Sequence, residues 1–273
     1  MIGSDISACI ALVEELTEIG VSAALAIRQI QDPGGVRIKA DGSPVTPADE
    51  ASEAVIRAGL ARLCPDVPVI SEEAAANKKP AVTDASFFLV DPLDGTKEFV
   101  SGRDEYTVNI GLVAGGAPVL GVIVAPARGL IWRGIVGQRA ERLAFAGQNI
   151  LPPKAIHTRQ CPDKGPLVMT SRSHLDPRTQ AYFDRLPGAQ RVASGSSVKF
   201  CRVAEGSADL YPRLAPTHDW DIAAGHAILV AAGGAVIAPD GRPLCYGTPE
   251  LLIPAFIAWS GNGPEPTEQA VKG

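Results

Sequence analysis

Apolar residues near the start of the chain recur at intervals of three and four positions. Between residues 4 and 31 they are Ile6, Ile10, Val13, Leu16, Ile19 and Ala23. Because this spacing places apolar side chains on one face of a helix, the pattern predicts a helix over 4–31, stopped by Pro33 and the glycines after it. A second helix is predicted to begin at Pro47, with Thr46 as its N-cap, and to end near Leu63.

Short apolar runs predict β-strands in the rest of the first half. The strongest is Phe87-Phe88-Leu89-Val90, a continuous run typical of a strand buried on both faces. Residues 107–113 and 119–125 flank a Gly- and Pro-containing turn, which predicts an antiparallel hairpin. Residues 67–70 and 130–136 predict two more strands.

The composition changes after Pro152-Pro153, and shorter elements follow. The patterns predict strands at 167–170 and 235–238, and helices over 177–186, 196–205 and 221–232.

These elements predict a mixed α/β (α+β) chain in two halves, with a boundary near 150–160. The N-terminal α+β half covers 1–155, and the C-terminal α/β half covers 156–260. The remainder, 261–273, is rich in Pro, Glu and Gly and is predicted to be a disordered tail.

Composition narrows the functional classes. The chain has 273 residues, is 46% hydrophobic and carries a net charge of −5, which gives no support for nucleic-acid binding. A small anionic substrate stays open, because a bound divalent cation can reverse the local charge. No apolar run approaches the roughly 20 residues of a transmembrane helix, and no basic n-region marks a signal peptide. A cytoplasmic location is expected. Association with the inner membrane surface and a homodimer both stay open.

The segment Asp91-Pro92-Leu93-Asp94-Gly95-Thr96 carries the first candidate chemistry. Asp91 directly follows the buried strand, and Pro92 is expected to take the chain out of the sheet. Asp94 can return its carboxylate to the same place through the turn at Gly95, where the carbonyl of Leu93 also points. These hard oxygen ligands suit Mg²⁺. Thr96 is predicted to open a short helix whose free N–H groups can bind an anion. The alternative is that the two acids only cap a turn and a helix.

Three further acids favour the metal interpretation. Glu72 follows a short strand, where a solvated turn is the alternative. Asp221 lies at the start of an apolar helix, where an N-cap is the alternative. Asp49 lies in the first turn of the second helix, where it either complements the helix dipole or acts as a base for water.

Together these segments resemble a known family. Ser71-Glu72-Glu73, then Asp91–Thr96 and then Trp220-Asp221-Ile222-Ala223-Ala224-Gly225 are similar to the motifs of the inositol monophosphatase superfamily of metal-dependent, lithium-inhibited phosphatases. The resemblance covers about residues 5–260. Lys97-Glu98-Phe99 and the stretches 41–46, 171–174, 195–200 and 210–213 are similar to its 3′(2′),5′-bisphosphate nucleotidase branch.

The resemblance implies a layered αβαβα sandwich and a role for each matched residue. Two or three Mg²⁺ ions would be held by Glu72, Asp91, the Leu93 carbonyl, Asp94 and Asp221. Thr96 and Asp49 would orient and deprotonate the attacking water, and the amides of Gly95 and Thr96 would hold the scissile phosphate. The nucleotide side would be lined by His174, Ser196, Ser197 and Lys199, with Lys199 facing the phosphate that is kept.

The implied reaction is hydrolysis of adenosine 3′,5′-bisphosphate to AMP and phosphate by an activated water, with the sulfated analogue as a second candidate substrate. An inositol monophosphatase or another small sugar-phosphate phosphatase shares the same chemistry. A nucleotide or metal sensor on the same fold is the non-enzymatic alternative. For the second-half residues the simpler interpretation is a loop cap at His174 and a helix N-cap at Ser196-Ser197, with Lys199 solvated.

Overall fold

The computed structural model describes residues 6–30, 34–40, 42–75, 86–173 and 175–261. His174 and all but the first residue of the predicted tail lie outside these ranges. The helices are α1 Ile6–Gln29, α2 Pro47–Leu63, α3 Glu72–Ala75, α4 Thr96–Val100, α5 Pro177–Phe183, α6 Val198–Ala204 and α7 Asp219–Ala231. In the described ranges, no helix combines the length and the apolar character needed to cross a bilayer.

The strands fall into two large sheets and two short pairs. In chain order they are β1 Arg37–Ile38, β2 Pro44–Val45, β3 Val69–Ser71, β4 Phe87–Asp94, β5 Thr107–Ala114, β6 Ala117–Ala125, β7 Leu130–Ile135, β8 Arg139–Ala146, β9 Asn149–Ile150, β10 Lys154–Ala155, β11 Leu167–Ser171, β12 Gln190–Ser194, β13 Leu210–Arg213, β14 Thr217–His218, β15 Ala235–Ile237, β16 Leu252–Ile253 and β17 Phe256–Trp259.

The first sheet has the strand order β10-β8-β7-β6-β5-β4-β3, and its pairs are antiparallel except for β3 with β4. Successive residues of β4 are buried on opposite faces: Phe88 and Val90 pack with α1 and α2, whereas Phe87 and Leu89 pack with α6 and α7. The prediction of a strand buried on both faces is therefore confirmed.

Helix α7 lies unusually close to this sheet because glycines face it. A Cβ atom added at Gly121 would lie 2.2 Å from the carbonyl oxygen of Ala224, and one at Gly111 would lie 2.9 Å from the Ala224 nitrogen. No side chain fits at either position without displacing the helix backbone. The close approach holds α7, which begins with Asp219 and Asp221, against the sheet whose strand β4 carries Asp91 and Asp94.

The second sheet, of order β12-β11-β13-β17-β15, covers the other side of α6 and α7. Its inner residues Met169, Tyr211 and Phe256 belong to the same core as α7. Its outer face packs against α5 through Tyr182 and Ile257. The layers therefore run α1 and α2, sheet, α6 and α7, sheet, α5, which is the expected αβαβα sandwich.

Several boundaries differ from the predicted ones for physical reasons. The strand predicted at 87–90 continues as β4 to Asp94: pairing with β5 is interrupted after Asp91 and resumes at Asp94, opposite Thr107. Pro92 thus creates an irregularity and does not end the strand, so that prediction was wrong. Helix α6 begins at Val198 rather than 196, because Ser196 has a left-handed φ of 46°. Helix α7 begins at Asp219, two residues before the predicted start.

Candidate active site

A cavity of about 430 Å³ opens where the two sheets meet the ends of α4, α6 and α7. Its walls include nearly all of the predicted site residues: Glu72, Asp91, Leu93, Asp94, Gly95, Thr96, Ser196, Ser197, Lys199 and Asp221. Asp49 lies behind this wall, in contact with Thr96. Residues far apart in the chain are thus brought to one cavity between the two predicted halves.

The end of β4 and the turn after it present the central acids. Asp91 is buried, and its Oδ1 accepts a hydrogen bond of 3.0 Å from the amide of Leu93. Gly95 follows with a φ of 93°, a left-handed conformation that favours glycine. A Cβ there would also lie 2.9 Å from the carbonyl oxygen of Glu105. This tight turn leads directly into α4 at Thr96, as predicted.

The buried acids raise one another's pKa values. The pKa of Asp91 lies well above its usual value, first because of burial and then because of the negative charges of Glu72, Asp94 and Asp221. Burial also raises the pKa of Glu72 to about 7; Lys39 opposes this shift and Asp221 adds to it. The pKa of Asp221 is raised by burial and by Asp94. A site in which several carboxylates repel one another in low-dielectric surroundings favours a bound cation.

Each of these carboxylates also has a donor from the protein itself. Lys39 Nζ donates to Glu72 Oε1 over 2.7 Å and to Glu73 Oε1 over 2.6 Å. The hydroxyl of Thr217 and the amide of His218 donate to Asp221. In the part of the chain that the structure describes, no three His, Cys, Asp or Glu side chains are already arranged as a set of metal ligands. The candidate ligand atoms for a metal are all oxygens, which fits Mg²⁺. The assignment of the individual ligands stays a prediction.

Thr96 and Asp49 form the predicted pair. Thr96 Oγ1 lies 3.1 Å from Asp49 Oδ1 and 3.1 Å from the carbonyl oxygen of Leu93. The other carboxylate oxygen of Asp49 accepts bonds from the amide and the hydroxyl of Thr46, over 2.8 and 2.6 Å. Burial raises the pKa of Asp49, and the bonds from Thr46 partly offset that rise. Asp49 therefore caps α2 and also faces Thr96, so its two interpretations are compatible.

Ser197, in the cavity wall, bonds directly to one of the acids. Its hydroxyl lies 2.6 Å from Asp94 Oδ2, and Asn109 Nδ2 donates to that hydroxyl over 2.8 Å. Asn109 was not among the predicted residues. Its signal in the sequence is a single amide in the apolar run of β5, where it is fully buried. Ser197 and Asn109 thus link Asp94 on β4 to the start of α6 in the second half.

Lys199 is buried, which excludes the alternative of a solvated lysine. Its Nζ donates to the carbonyl oxygens of Ser194 and Ser196 and lies 5.1 Å from the centroid of the Tyr211 ring. Ser197 lies at the N-cap of α6, but its side chain makes no capping bond. The Ser196 hydroxyl accepts a bond of 3.4 Å from the amide of Val198, the first residue of the helix.

Arg213 is a further cationic side chain in the cavity wall, which also includes Lys39, Lys97 and Lys199. Its Nη2 donates to the carbonyl oxygen of Pro216 over 3.2 Å, and its buried Nε has no hydrogen-bond partner among the residues that the structure describes. The motif that contains Arg213 was recognised in the sequence, but this residue was not predicted to be in the site.

The chain matches the inositol monophosphatase family over residues 11–270. It belongs to that family. Membership confirms the resemblance carried by the three acidic motifs and identifies the chain as a phosphatase, a hydrolase of phosphate esters.

Individual family members place the chain further. It is 42% identical over 249 residues to the 3′(2′),5′-bisphosphate nucleotidase CysQ of Escherichia coli (strain K12), covering 90% of this chain and 98% of that protein. Identity to the CysQ nucleotidase of Aggregatibacter actinomycetemcomitans is 31% over 252 residues, covering 90% and 91% of the two chains.

Solved structures of this family have the same fold. The crystal structure of CysQ from Bacteroides thetaiotaomicron superposes with a TM-score of 0.78 at 34% identity, covering 93% of this chain and 98% of that one. An inositol monophosphatase from Anabaena superposes with a TM-score of 0.73 at 24% identity, covering 97% and 95%, which shows the shared fold.

Proposed function

We propose that this protein hydrolyses adenosine 3′,5′-bisphosphate to AMP and phosphate. The observation that carries the proposal is the mixed charge of the cavity lining: the acids Asp91 and Asp94, here called the acidic side, share one cavity with cationic side chains that include Lys199 and Arg213. A substrate with two phosphates fits this lining, because one phosphate can face the acids through a metal ion while a cationic side chain binds the other. The nucleotidases at 42% identity support the same substrate.

We assign the metal site to the acidic side. Glu72, Asp91, Asp94, Asp221 and the carbonyl of Leu93 would hold two or three Mg²⁺ ions, in agreement with the raised pKa values of the buried acids. Bound Mg²⁺ supplies Lewis-acid chemistry that polarises phosphoryl oxygens and acidifies water. Lys39 forms ion pairs with Glu72 and Glu73. When the Glu72 carboxylate binds a metal ion, Lys39 would keep its pair with Glu73 and would lengthen or lose its pair with Glu72.

Thr96 and Asp49 would handle the proton of the attacking water. The Thr96 hydroxyl can accept a hydrogen bond from water while donating its own hydrogen to Asp49 Oδ1, 3.1 Å away. Because burial raises the pKa of Asp49, this carboxylate is a better proton acceptor than an exposed one. The amides of Gly95 and Thr96, at the edge of the cavity, would hold the scissile phosphate. No side-chain nucleophile is required.

The second half would bind the remainder of the substrate. Lys199 faces the phosphate that is kept in this proposal, next to Ser196, and His174 completes the nucleotide side. Ser197 would act mainly by holding Asp94, to which its hydroxyl is bonded. Arg213 is added to the predicted set as a second cationic contact.

The proposal also covers the setting of the enzyme. We place it in the cytoplasm, and cell fractionation tests whether part of it associates with the inner membrane surface. Light scattering tests whether it forms a homodimer. The N-terminal half, 1–155, is proposed to carry most of the metal ligands. The C-terminal half, 156–260, is proposed to carry the last one, Asp221, together with the substrate contacts.

A phosphate-release assay tests the substrate. Adenosine 3′,5′-bisphosphate, its sulfated analogue, inositol 1-phosphate, fructose 1,6-bisphosphate and a small aryl phosphate are compared with Mg²⁺, with EDTA and with added Li⁺. We expect kcat/KM for the bisphosphate nucleotide to exceed that for inositol 1-phosphate by about 100-fold, as a site built for a second charged group discriminates strongly. We also expect activity to be lost in EDTA and reduced by Li⁺. A preference for inositol 1-phosphate would refute the nucleotide assignment, and absence of all turnover would favour a sensor.

A further inference from the structure

Glu105 lies in the connection between α4 and β5 and is tied to the second half by two parallel bonds. Arg172 Nε donates to Glu105 Oε2 and Arg172 Nη2 donates to Oε1, both over 2.8 Å. Arg172 directly follows β11, so the pair joins the first half of the chain to the second. The bonds from Arg172 lower the pKa of Glu105, which keeps the carboxylate ionised at neutral pH.

The same two residues bond the segment Ser194–Ser197, here called the wall segment, and the residue before it. The amide of Gly195 donates to Glu105 Oε2 over 3.0 Å. Arg172 Nη2 donates to the carbonyl oxygen of Ala193 over 2.9 Å, and the Arg172 amide donates to that of Ser194 over 3.2 Å. The ion pair is therefore also an anchor for the backbone at the end of β12.

The wall segment contains one strained residue and one close approach to the first half. Ser196 has a left-handed φ of 46°, a conformation that costs a residue with a side chain on the order of 1 kcal/mol or more. Gly195 approaches the first half so closely that an added Cβ would lie 2.8 Å from the carbonyl oxygen of Glu105 and 2.8 Å from Glu98 Cγ. Glu98 in turn accepts a bond of 2.6 Å from the hydroxyl of Ser173.

The position of the wall segment determines where Lys199 sits. The Nζ of Lys199 donates to two carbonyl oxygens of the segment, those of Ser194 and Ser196. Ser197 of the same segment is bonded to Asp94. The position of Lys199 relative to Asp94 thus depends on the backbone that Glu105 and Arg172 anchor.

We propose that Glu105 and Arg172 are positioning residues that determine specificity for substrates reaching both Lys199 and the acidic side of the cavity. They touch neither phosphate. They hold the wall segment, and with it Lys199, at the spacing that a bisphosphate requires. Hydrolysis of a small phosphomonoester on the acidic side does not depend on them, because Asn109 on β5 bonds both the Ser197 hydroxyl and Asp94 Oδ2, over 2.8 and 3.4 Å, without the anchor. This inference rests on the proposed function.

The neighbouring residue offers a matched control. Asp104 also pairs with an arginine, Arg128, over 3.1 Å. The Asp104 side chain is exposed, and its oxygens bond Arg128 rather than the wall segment. Glu105→Gln and Asp104→Asn each remove one negative charge at nearly constant volume. A difference between them therefore reports the anchor and not the loss of charge in general.

The experiment compares both variants with the wild type, using adenosine 3′,5′-bisphosphate and a small aryl phosphate. For Glu105→Gln we expect KM for the bisphosphate to rise about tenfold, since a charge-assisted pair is lost. The kcat for the bisphosphate, and both kcat and KM for the aryl phosphate, should stay within about twofold of the wild-type values. Asp104→Asn should behave as wild type. Equal losses on both substrates, or no loss in Glu105→Gln, would overturn the proposal.

Amide hydrogen exchange of peptides covering 190–199 separates this inference from the proposed function. Faster exchange there in Glu105→Gln than in Asp104→Asn is expected whatever the natural substrate is. Unchanged exchange would overturn the anchoring role even if the bisphosphate is the substrate. If the wild type neither hydrolyses the bisphosphate nor is inhibited by it, the proposed function and the specificity role are both overturned. The exchange result still decides whether Glu105 holds the wall segment.

Discussion

Thr96 directs its hydroxyl to Asp49 over 3.1 Å although 47 residues separate the two in the chain. Asp49 is fixed for this contact because its second oxygen is occupied by the amide and hydroxyl of Thr46 at the start of α2. Helix capping and the orientation of a candidate catalytic hydroxyl thus depend on one buried carboxylate.

Removing the hydroxyl of Thr96 should therefore impair the chemical step. We expect Thr96→Val to lower kcat about 100-fold or more, the size of a general acid–base contribution, with KM changed less than about threefold. Thr96→Ser keeps the hydroxyl and should retain most of the activity. Steady-state kinetics on the preferred substrate measures both variants. Normal kcat in Thr96→Val would exclude the proton role.

Replacing Asp94 by Asn should abolish activity without unfolding the protein. The change removes one negative charge from the acidic side of the cavity and keeps the volume, and Ser197 can still bond to the amide oxygen. We expect kcat/KM to fall about 1,000-fold, because the loss of a ligand charge weakens both metal binding and positioning.

For Asp94→Asn, calorimetry measures the melting temperature and the Mg²⁺ affinity in addition to the steady-state kinetics. The fold should persist, with a circular dichroism spectrum equal to that of the wild type. Mg²⁺-dependent turnover at the wild-type rate would refute the assignment of Asp94 as a ligand.

Much of this site was predictable from the sequence because local patterns determine it. Thr46 and Pro47 mark the start of α2, and the apolar run before Asp91 marks a central strand, so the placement of Asp49 and Asp91 follows from nearby residues. The layered fold itself came from the resemblance rather than from periodicity. Strand β8 escaped prediction because three of its first four residues, Arg139, Glu141 and Arg142, are charged, which leaves no apolar run across the whole strand.

Other features depend on contacts between distant segments, which a single sequence does not reveal. Ser196 looks like a helix N-cap, yet it lies in a left-handed conformation, in a segment anchored to Glu105, some 90 residues earlier in the chain. Lys199 looks like a solvated lysine near a helix start, yet the second sheet buries it beside Tyr211. Tertiary packing overrides local preference at both residues.

Lys199 should contribute to affinity for the second phosphate. We expect Lys199→Met, which keeps most of the apolar stem, to raise KM for adenosine 3′,5′-bisphosphate about tenfold, the effect of losing one charge-assisted hydrogen bond. KM for a small aryl phosphate should change less than about twofold by the same reasoning. The exposed Lys154→Met, on β10, provides a control for loss of positive charge. If both substrates were affected equally, Lys199 would have no specific role at the second phosphate.

The acids of the cavity should make the metal-free protein less stable as the pH rises. In the folded protein the pKa of Glu72 is raised from 4.5 to about 7 by burial. The folded state therefore holds this proton more tightly than the unfolded state does. The stability associated with protonated Glu72 is fully present below pH 4.5 and is lost as the pH rises through 7. We expect the free energy of unfolding in EDTA to fall by about 1–2 kcal/mol between pH 5 and pH 8.

Urea unfolding at several pH values, in EDTA and in saturating Mg²⁺, tests this expectation. Mg²⁺ should remove the decrease, because a bound cation stabilises the ionised carboxylates and binds only the folded state. Glu72→Gln cannot ionise and should show a smaller decrease in EDTA than the wild type. A metal-free wild type whose stability stays constant or increases from pH 5 to pH 8 would contradict the raised pKa of Glu72, and an identical pH dependence with Mg²⁺ would contradict the proposed location of the metal site.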